Sequence, residues 1–400
     1  MNRKSRSTIV LLSTAHFVLD SYSSFLFQLL PLMAMKLRLT PAQAGWLPPL
    51  LTITSSLLQP VYGVISDRFL KRSMVVFGPL IAAVFLSSLG TAQTPAMLVM
   101  LVILGGMGVG MFHPQGAAMV MRAASADGRR DREGLIMSTF SSAGTVGYAL
   151  GPVLVAAVVG SFGLERSWYT AIWGVAFWFL LLRYCPVLEK KERGADAPSL
   201  TDALRASWGP LTLLYFAVVL RSAVAVSIQT YLPFSLNQAG ISSTTVSWVL
   251  AGFLFFGGLG GFFGGALADR LGARRVTLVA MLLATPMLLA SFTATGAVSY
   301  MFLLAGGTVL NLPIPISVVM AQRLVPGGAG TVSALMMGFA WGAGALLTPL
   351  VGMLSERYGF IRALIVTALV PWLSAVLLWR YPKDDRPVVW SSKEALATGD

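Results

Sequence analysis

The chain has 400 residues, of which 56% are hydrophobic and only 11% charged, and its mean hydropathy is +0.75. These values exclude a soluble globular protein of ordinary composition and indicate a protein that lies within a lipid bilayer. The single cysteine, Cys185, excludes an intrachain disulfide.

Apolar segments recur along the chain, and each is long enough to cross about 30 Å of hydrocarbon as a helix. They predict an all-α membrane protein with twelve transmembrane helices in two six-helix bundles. The predicted spans are residues 8–35, 43–66, 73–91, 96–122, 134–160, 167–186, 209–235, 243–267, 275–293, 297–322, 329–354 and 360–381.

The longest polar interval separates the first six spans from the last six. We therefore expect an N-terminal bundle at residues 1–188, a cytoplasmic linker at 189–207, a C-terminal bundle at 208–382 and a cytoplasmic tail at 383–400. The remaining loops are too short for a soluble domain.

Lys and Arg are distributed unevenly between the two predicted membrane faces. With a cytoplasmic N-terminus, 23 of the 29 lie on the cytoplasmic side, as the positive-inside rule requires. Both termini are then cytoplasmic, and the expected location is the bacterial inner membrane. The net charge of +13 reflects this topology, so we do not expect a nucleic-acid partner.

A short charged motif occurs twice, at an offset of 202 residues. Each copy lies in a tight loop between two predicted helices, which indicates two parallel repeats. The copies are Gly63, Asp67, Arg68 and Arg72, then Gly265, Asp269, Arg270 and Arg274.

Few ionisable side chains fall deep within a predicted span, where each is costly and therefore a functional candidate. Asp20 is the only acid among them, and His16 lies four residues earlier on the same helix face. His113, in the fourth span, lies at a similar depth. We hypothesise that Asp20 carries the coupling proton, with His16 and His113 as partners. A structural lock between helices and a divalent metal site are the alternatives, although we expect neither a metal nor a cofactor.

Arg221 lies near the middle of the seventh span. A guanidinium there needs an anion, either a substrate phosphonate, phosphate or carboxylate, or Asp20 in an interhelical ion pair. Other polar and aromatic side chains are candidates for the lining of a substrate site: Gln28, Gln115, Gln229, Tyr231, Asn311 and Trp341.

The repeated loop motif, the twelve spans and the central linker together resemble the major facilitator superfamily. In that family the loop motif lies on the cytoplasmic side and takes part in closing the gate, so the resemblance implies a gating role for its eight residues. The sequence Gly147-Tyr-Ala-Leu-Gly151-Pro152 resembles the signature of facilitator antiporters, although further glycines of that signature are missing.

A narrower resemblance is to the fosmidomycin-resistance branch of bacterial exporters. It rests on Ala15-His16-Phe-Val-Leu-Asp20, on Ser55-Ser-Leu-Leu-Gln-Pro-Val61 and on Phe112-His113-Pro114. That branch also has a basic residue at the position of Arg221. Here Gln115 follows His-Pro where a Glu is expected, and Leu19 replaces an Asn.

The function expected from these features is alternating-access transport, in which a proton-coupled antiporter exports a small organic compound or drug. Proton-coupled uptake of an organic anion or other metabolite is the second reading. A sensor, a passive channel or a scramblase is the third, and we find no catalytic constellation of an enzyme. Protons, a small-molecule substrate and the bilayer are the expected partners of a monomeric protein.

Overall fold

A computed structural model describes residues 3–59, 61–62, 71–125, 133–186, 207–325, 332 and 335–382. Its helices are α1 (Arg3–Ser23), α2 (Phe25–Leu37), α3 (Pro41–Ala44), α4 (Leu47–Thr52), α5 (Lys71–Ser87), α6 (Pro95–Ser125), α7 (Glu133–Phe162), α8 (Ala171–Tyr184), α9 (Trp208–Gln238), α10 (Ser243–Leu271), α11 (Ala273–Thr293), α12 (Gly296–Asn311), α13 (Pro313–Leu324), α14 (Ala340–Ala345), α15 (Thr348–Tyr358) and α16 (Phe360–Arg380).

Four short helical turns complete the described elements. Two are 3₁₀ turns, Ser88–Thr91 and Leu164–Thr170, and two are π-helical turns, Ile53–Leu57 after α4 and Leu335–Phe339 before α14. The π turns interrupt two predicted spans at the contact between the halves, where an added Cβ on Gly338 would lie 3.3 Å from the Ser56 carbonyl oxygen. π-helical turns are frequently found at functional positions of a helix.

Ten helical stretches in the described part of the chain are long and apolar enough to cross a membrane. They coincide with ten of the twelve predicted spans. The two others are the span at 43–66, which α4 and the first π turn occupy in part, and the span at 167–186, which contains the shorter helix α8.

The buried apolar side chains form two clusters rather than one. One cluster runs from Ile9 to Cys185, and the other runs from Leu211 to Tyr381. Phe27 and Ala149, from the first half, pack in the second cluster and mark a contact between the halves. Two cores agree with two bundles, while the exact domain boundaries stay a prediction because residues 187–206 and 383–400 lie outside the described ranges.

Glycine allows neighbouring helices to approach closely within each half. An ideal Cβ added to Gly108 of α6 would lie 2.5 Å from the backbone nitrogen of Ala82 in α5. One added to Gly105 would lie 2.5 Å from Cγ of Leu86. Close contact between α5 and α6 therefore explains these two glycines without a ligand.

Candidate functional site

Asp20 of α1 lies between two imidazole rings. Its Oδ2 is 3.2 Å from Nε2 of His16, and its Oδ1 is 3.0 Å from Nε2 of His113 in α6. The three side chains are 15%, 11% and 28% exposed, respectively. The structure therefore brings together all three residues that the sequence assigned to proton coupling.

The other ring nitrogen of His16 fixes where protons must lie in this cluster. Nδ1 of His16 is 2.9 Å from the carbonyl oxygen of Phe140, which only accepts, so Nδ1 carries a proton. The Phe140 ring also stacks on the imidazole, with centroids 4.3 Å apart. A hydrogen bond between Nε2 and the Asp20 carboxylate then needs a second proton, on either the ring or the carboxyl group. The His16 imidazole and the Asp20 carboxylate therefore share one exchangeable proton.

The same three residues offer ligand atoms within 4.8 Å of one another, a spacing that would also suit a metal ion. Their polar atoms already bond to one another directly. A metal ion would have to replace these hydrogen bonds, so the absence of a metal stays a prediction.

Helix α7 presents a row of glycines to α1 beside this cluster. An added Cβ on Gly144 would lie 2.5 Å from Nε2 of His16 and 2.7 Å from Oδ2 of Asp20. Added Cβ atoms on Gly147 and Gly151 would collide with backbone oxygens of α1. The antiporter signature in the sequence indicates Gly147, Gly151 and Pro152 but does not include Gly144. The spacing of three residues between Gly144 and Gly147 nevertheless places both on the same helix face.

Arg221 of α9 is 1% exposed and lies in the second half. Its Nη1 donates to Oδ1 of Asn311 at 3.0 Å, and its Cζ lies 5.0 Å from the ring centroid of Trp341. Nδ2 of Asn311 donates to the Gly307 carbonyl at 2.9 Å, which fixes the amide. The sequence indicated these three side chains separately, and the structure places them in contact.

The alternative ion pair between Arg221 and Asp20 does not form in this structure. The Asp20 carboxylate is bonded to two histidines, and the guanidinium is bonded to Asn311. Within the described ranges, Nε and Nη2 of Arg221 are buried and have no hydrogen-bond partner.

Other predicted lining residues join the two halves instead of surrounding Arg221. Nε2 of Gln28 donates to the Ser243 carbonyl at 3.4 Å, and Oε1 of Gln229 accepts from the hydroxyl of Tyr148 at 3.0 Å. Tyr148 is a contact that sequence analysis missed. Gln115 is buried in α6, two residues beyond His113.

Tyr231 has a different position from the one expected for a substrate-lining residue. It is fully buried, and its hydroxyl lies 3.0 Å from the Pro41 carbonyl oxygen and 3.1 Å from that of Thr348. Since Tyr231 follows Arg221 by ten residues, it lies about 15 Å farther along α9. The structure thus makes Tyr231 a contact between the halves.

The contacts of Tyr231 with Pro41 and Thr348 lie near one membrane face. We call it the outer face: it carries the turns at Thr40, Gly163 and Gly240 and lies opposite the predicted linker. There the backbone N–H of Ala42 in α3 donates to Oε1 of Glu356 in α15 at 2.9 Å. The outer face is therefore held closed by hydrogen bonds between the halves.

The repeated loop motif makes equivalent contacts in both halves. Nε of Arg72 donates to the Cys185 carbonyl at 2.9 Å, and Nε of Arg274 donates to the Tyr381 carbonyl at 2.8 Å. Each arginine thus binds the end of the last helix of its own half. These bonds do not cross between the halves, so for these two residues the structure shows anchoring rather than a gate contact.

The other motif residues are only partly described. Gly63, Asp67 and Arg68 lie outside the described residues. Gly265, Asp269 and Arg270 occupy the last turns of α10, where Oδ1 of Asp269 is buried and has no hydrogen-bond partner in the described part of the chain. The gating role predicted for these residues stays a prediction.

Comparison with known families decides the classification. The family model described as Major Facilitator Superfamily matches residues 12–239 and again residues 211–398. The chain belongs to the major facilitator superfamily. The fold of this superfamily is two six-helix bundles, which confirms the fold class predicted from the sequence.

Relatives and solved structures agree with this membership. An uncharacterized MFS-type transporter of Bacillus subtilis (strain 168), YfnC, is 28% identical over 96% of this chain and 95% of its own. The fosmidomycin resistance protein of Escherichia coli (strain K12) is 26% identical over 92% of this chain and 91% of its own, which confirms the narrower resemblance.

Among solved structures, a bacterial homolog of the human lysosomal transporter Spinster superposes with a TM-score of 0.79. It is 14% identical and covers 95% of this chain and 97% of its own. The match shows the fold of the superfamily. In this facilitator protein, the histidine–aspartate cluster belongs to the first bundle and the arginine site to the second.

Proposed function

We propose that this major facilitator protein is a proton-coupled antiporter that exports a small organic compound or drug by alternating access. The observation that carries the proposal is the Asp20 carboxylate between His16 and His113, in a helical stretch long and apolar enough to cross a membrane. The hydrogen bonds of this cluster require one exchangeable proton. Gain or loss of that proton changes the charge that α1 presents to the space between the bundles.

The positions of the two charged sites support coupling between proton and substrate. Asp20 lies about 22 Å along the helix from Ser5, and Arg221 lies about 20 Å from Trp208, at 1.5 Å per residue. Both helices enter from the same face, so the sites lie at similar depth in opposite bundles. The substrate and the proton can therefore act on the same central space, as alternating access around a midplane site requires.

The direction of transport is inferred from a sequence signature and from the names of relatives. The Gly147, Gly151 and Pro152 signature on α7 favours antiport, and the relatives include a fosmidomycin resistance protein and multidrug resistance proteins named MdtG. Another relative is named a probable 4-methylmuconolactone transporter, so the relatives are not all named for drug resistance. Proton-coupled symport is therefore the second candidate, since Asp20 serves either direction.

The other parts of the proposal follow from topology. We propose that both termini lie in the cytoplasm, since Lys and Arg are concentrated on that side. Resemblance to other members of the superfamily supports a monomer in the bacterial inner membrane. The two bundles are residues 1–188 and 208–382, joined by the linker at 189–207. The substrate and protons are its ligands, and neither a metal, a cofactor nor an enzymatic activity is proposed.

Reconstitution into liposomes tests this function. A pH-sensitive dye trapped in the lumen follows proton movement while fosmidomycin, aromatic organic anions and cationic drugs are added outside in turn. Entry of a substrate by antiport makes the lumen more alkaline, whereas symport makes it more acidic. Asp20→Asn abolishes both signals, and Glu165→Gln, which removes an exposed acid, is the matched control. Gradient-driven transport that persists in Asp20→Asn contradicts the proposal.

A further inference from the structure

Arg221 offers one unoccupied edge of its guanidinium group. Nη1 is bonded to Asn311, while Nε and Nη2 are buried and unpartnered in the part of the chain that the structure describes. Nε and Nη2 lie side by side on the guanidinium, and together they form a fork that matches the two oxygens of a carboxylate or phosphonate. A guanidinium keeps its charge at any pH relevant to a protein.

Within the described ranges, no acidic side chain bonds to this edge. Of the 16 acids in the sequence, Asp20 alone lies deep within a predicted span, and it is bonded to two histidines. Glu356 and Asp269 lie at opposite ends of the second bundle. A buried cation that lacks an anionic partner is costly, so the missing anion is best supplied from outside.

Asn311 controls which edge is free. The break between α12 and α13 at Leu312 places Asn311 at the end of a helix, and its amide is held by the Gly307 carbonyl. Bonded in this way, Asn311 occupies Nη1 and leaves the buried Nε–Nη2 fork without a partner in the described part of the chain. Trp341 covers one face of the guanidinium with an apolar ring, which suits a ligand whose charged group is attached to an apolar body.

We propose that the Nε–Nη2 edge of Arg221, oriented by Asn311 and flanked by Trp341, binds the carboxylate or phosphonate of an amphipathic organic anion. This assigns a substrate class and therefore rests on the proposed transport function. Asn311 acts as a positioning residue through Arg221.

Binding to the purified protein in detergent, without any gradient, tests the assignment. The probes are benzoate, phenylphosphonate, neutral benzyl alcohol and benzylammonium, measured by titration calorimetry. The wild-type protein binds one or both anions and neither of the other two compounds. Arg221→Lys keeps the charge but loses the fork, so we expect the anion affinity to fall at least about tenfold, the loss of one charge-assisted hydrogen bond.

Asn311→Asp provides a sharper variant. The new carboxylate pairs with Arg221 and supplies the anion internally, so the protein stays folded, with an unchanged or higher melting temperature, and anion binding is lost. Asn237→Asp, at the end of α9 on the outer face, makes the same chemical change away from Arg221 and leaves binding unchanged. Undiminished anion binding in either Arg221→Lys or Asn311→Asp overturns the inference.

The two proposals fail in different ways. Anion binding that depends on Arg221 but is accompanied by no proton movement in liposomes contradicts the proposed antiport and leaves the binding site intact. Gradient-driven transport of only neutral or cationic compounds, unaffected by Arg221→Lys, contradicts the binding site and leaves antiport intact.

Discussion

The carboxylate of Glu356, in the last turn of α15, accepts a hydrogen bond of 2.9 Å from the backbone N–H of Ala42 in α3. The two residues belong to opposite bundles and are 314 positions apart in the chain. Thr40 caps α3 through a capping box with Gln43, so the helix start that presents this N–H is itself ordered. The pair is a latch that holds the outer face closed.

Removing the latch should favour opening of the outer face. In Glu356→Ala the Ala42 N–H loses its charged acceptor, and we expect the outer-open population to rise about two- to fivefold, a modest effect because the bond is exposed. The reporter is Phe27→Cys in a background that lacks Cys185, labelled by an impermeant maleimide. Phe27 is 4% exposed and packs in the core of the other half, so it reacts only after opening.

Glu165→Gln is the matched control for that experiment. Hydrogen bonds from Lys36 and Gln93 hold the pKa of the Glu165 carboxyl below its ordinary value of 4.5, so it is ionised at neutral pH. Its bonds stay within the first bundle. If the Phe27→Cys reporter is labelled equally fast with and without Glu356→Ala, then Glu356 does not keep the outer face closed.

Tyr148→Phe should loosen the same closed state from the membrane interior. It removes the hydroxyl that donates to Oε1 of Gln229 at 3.0 Å, and we expect labelling of Phe27→Cys to rise by about fivefold for one lost buried hydrogen bond. A double-mutant cycle with Gln229→Leu isolates this contact. If the two effects simply add, the bond does not contribute to closure.

Gly144→Ala should weaken coupling. An added Cβ would lie 2.5 Å from His16 Nε2 and 2.7 Å from Asp20 Oδ2, so the hydrogen bonds of the cluster cannot all persist. Overpacking of this kind costs about 1–3 kcal/mol, which corresponds to a fall in gradient-driven transport of about 5- to 150-fold. Gly160→Ala, on the same helix with nothing within 4 Å of an added Cβ, is the control. Normal coupling in Gly144→Ala would contradict a role for this geometry.

The two histidines should differ in importance. His16 is held on both ring nitrogens, by Phe140 and by Asp20, whereas His113 bonds Asp20 and is more exposed. We expect His113→Gln, whose amide can still donate to Asp20, to keep transport within about threefold, since one hydrogen bond is retained. His16→Gln removes the ring that bridges the Phe140 carbonyl and Asp20 and should abolish the proton signal in liposomes. The opposite order would identify His113 as the ring that shares the coupling proton with Asp20.

Arg72 and Arg274 should contribute to stability independently. Each binds carbonyl oxygens at the end of the last helix of its own half, and Arg→Lys removes the fork geometry of those bonds. We expect each substitution to cost about 1–2 kcal/mol, with additive effects because the sites lie in different bundles. Thermal melting in detergent measures this, with the exposed Arg270→Lys as control. Loss of transport without any loss of stability would instead favour a gating role.

Much of the fold follows from the sequence. Apolar runs define the spans because a helix must cross the hydrocarbon with its backbone satisfied internally, and the duplicated motif reveals two halves. Within one helix, the period of 3.6 residues also places His16 beside Asp20. The sequence further isolates Arg221 as a charge without an equivalent in the first half.

Only the tertiary structure decides which residues of different helices meet. Asp20 bonds to His113 and not to Arg221. Arg221 instead contacts Asn311 and Trp341. Tyr231 forms a contact between the halves. Helical periodicity determines the direction of a side chain from its own helix axis. It does not determine which side chain of another helix lies opposite. That choice depends on helix rotation and on close approach at glycines such as Gly144, which packing alone determines.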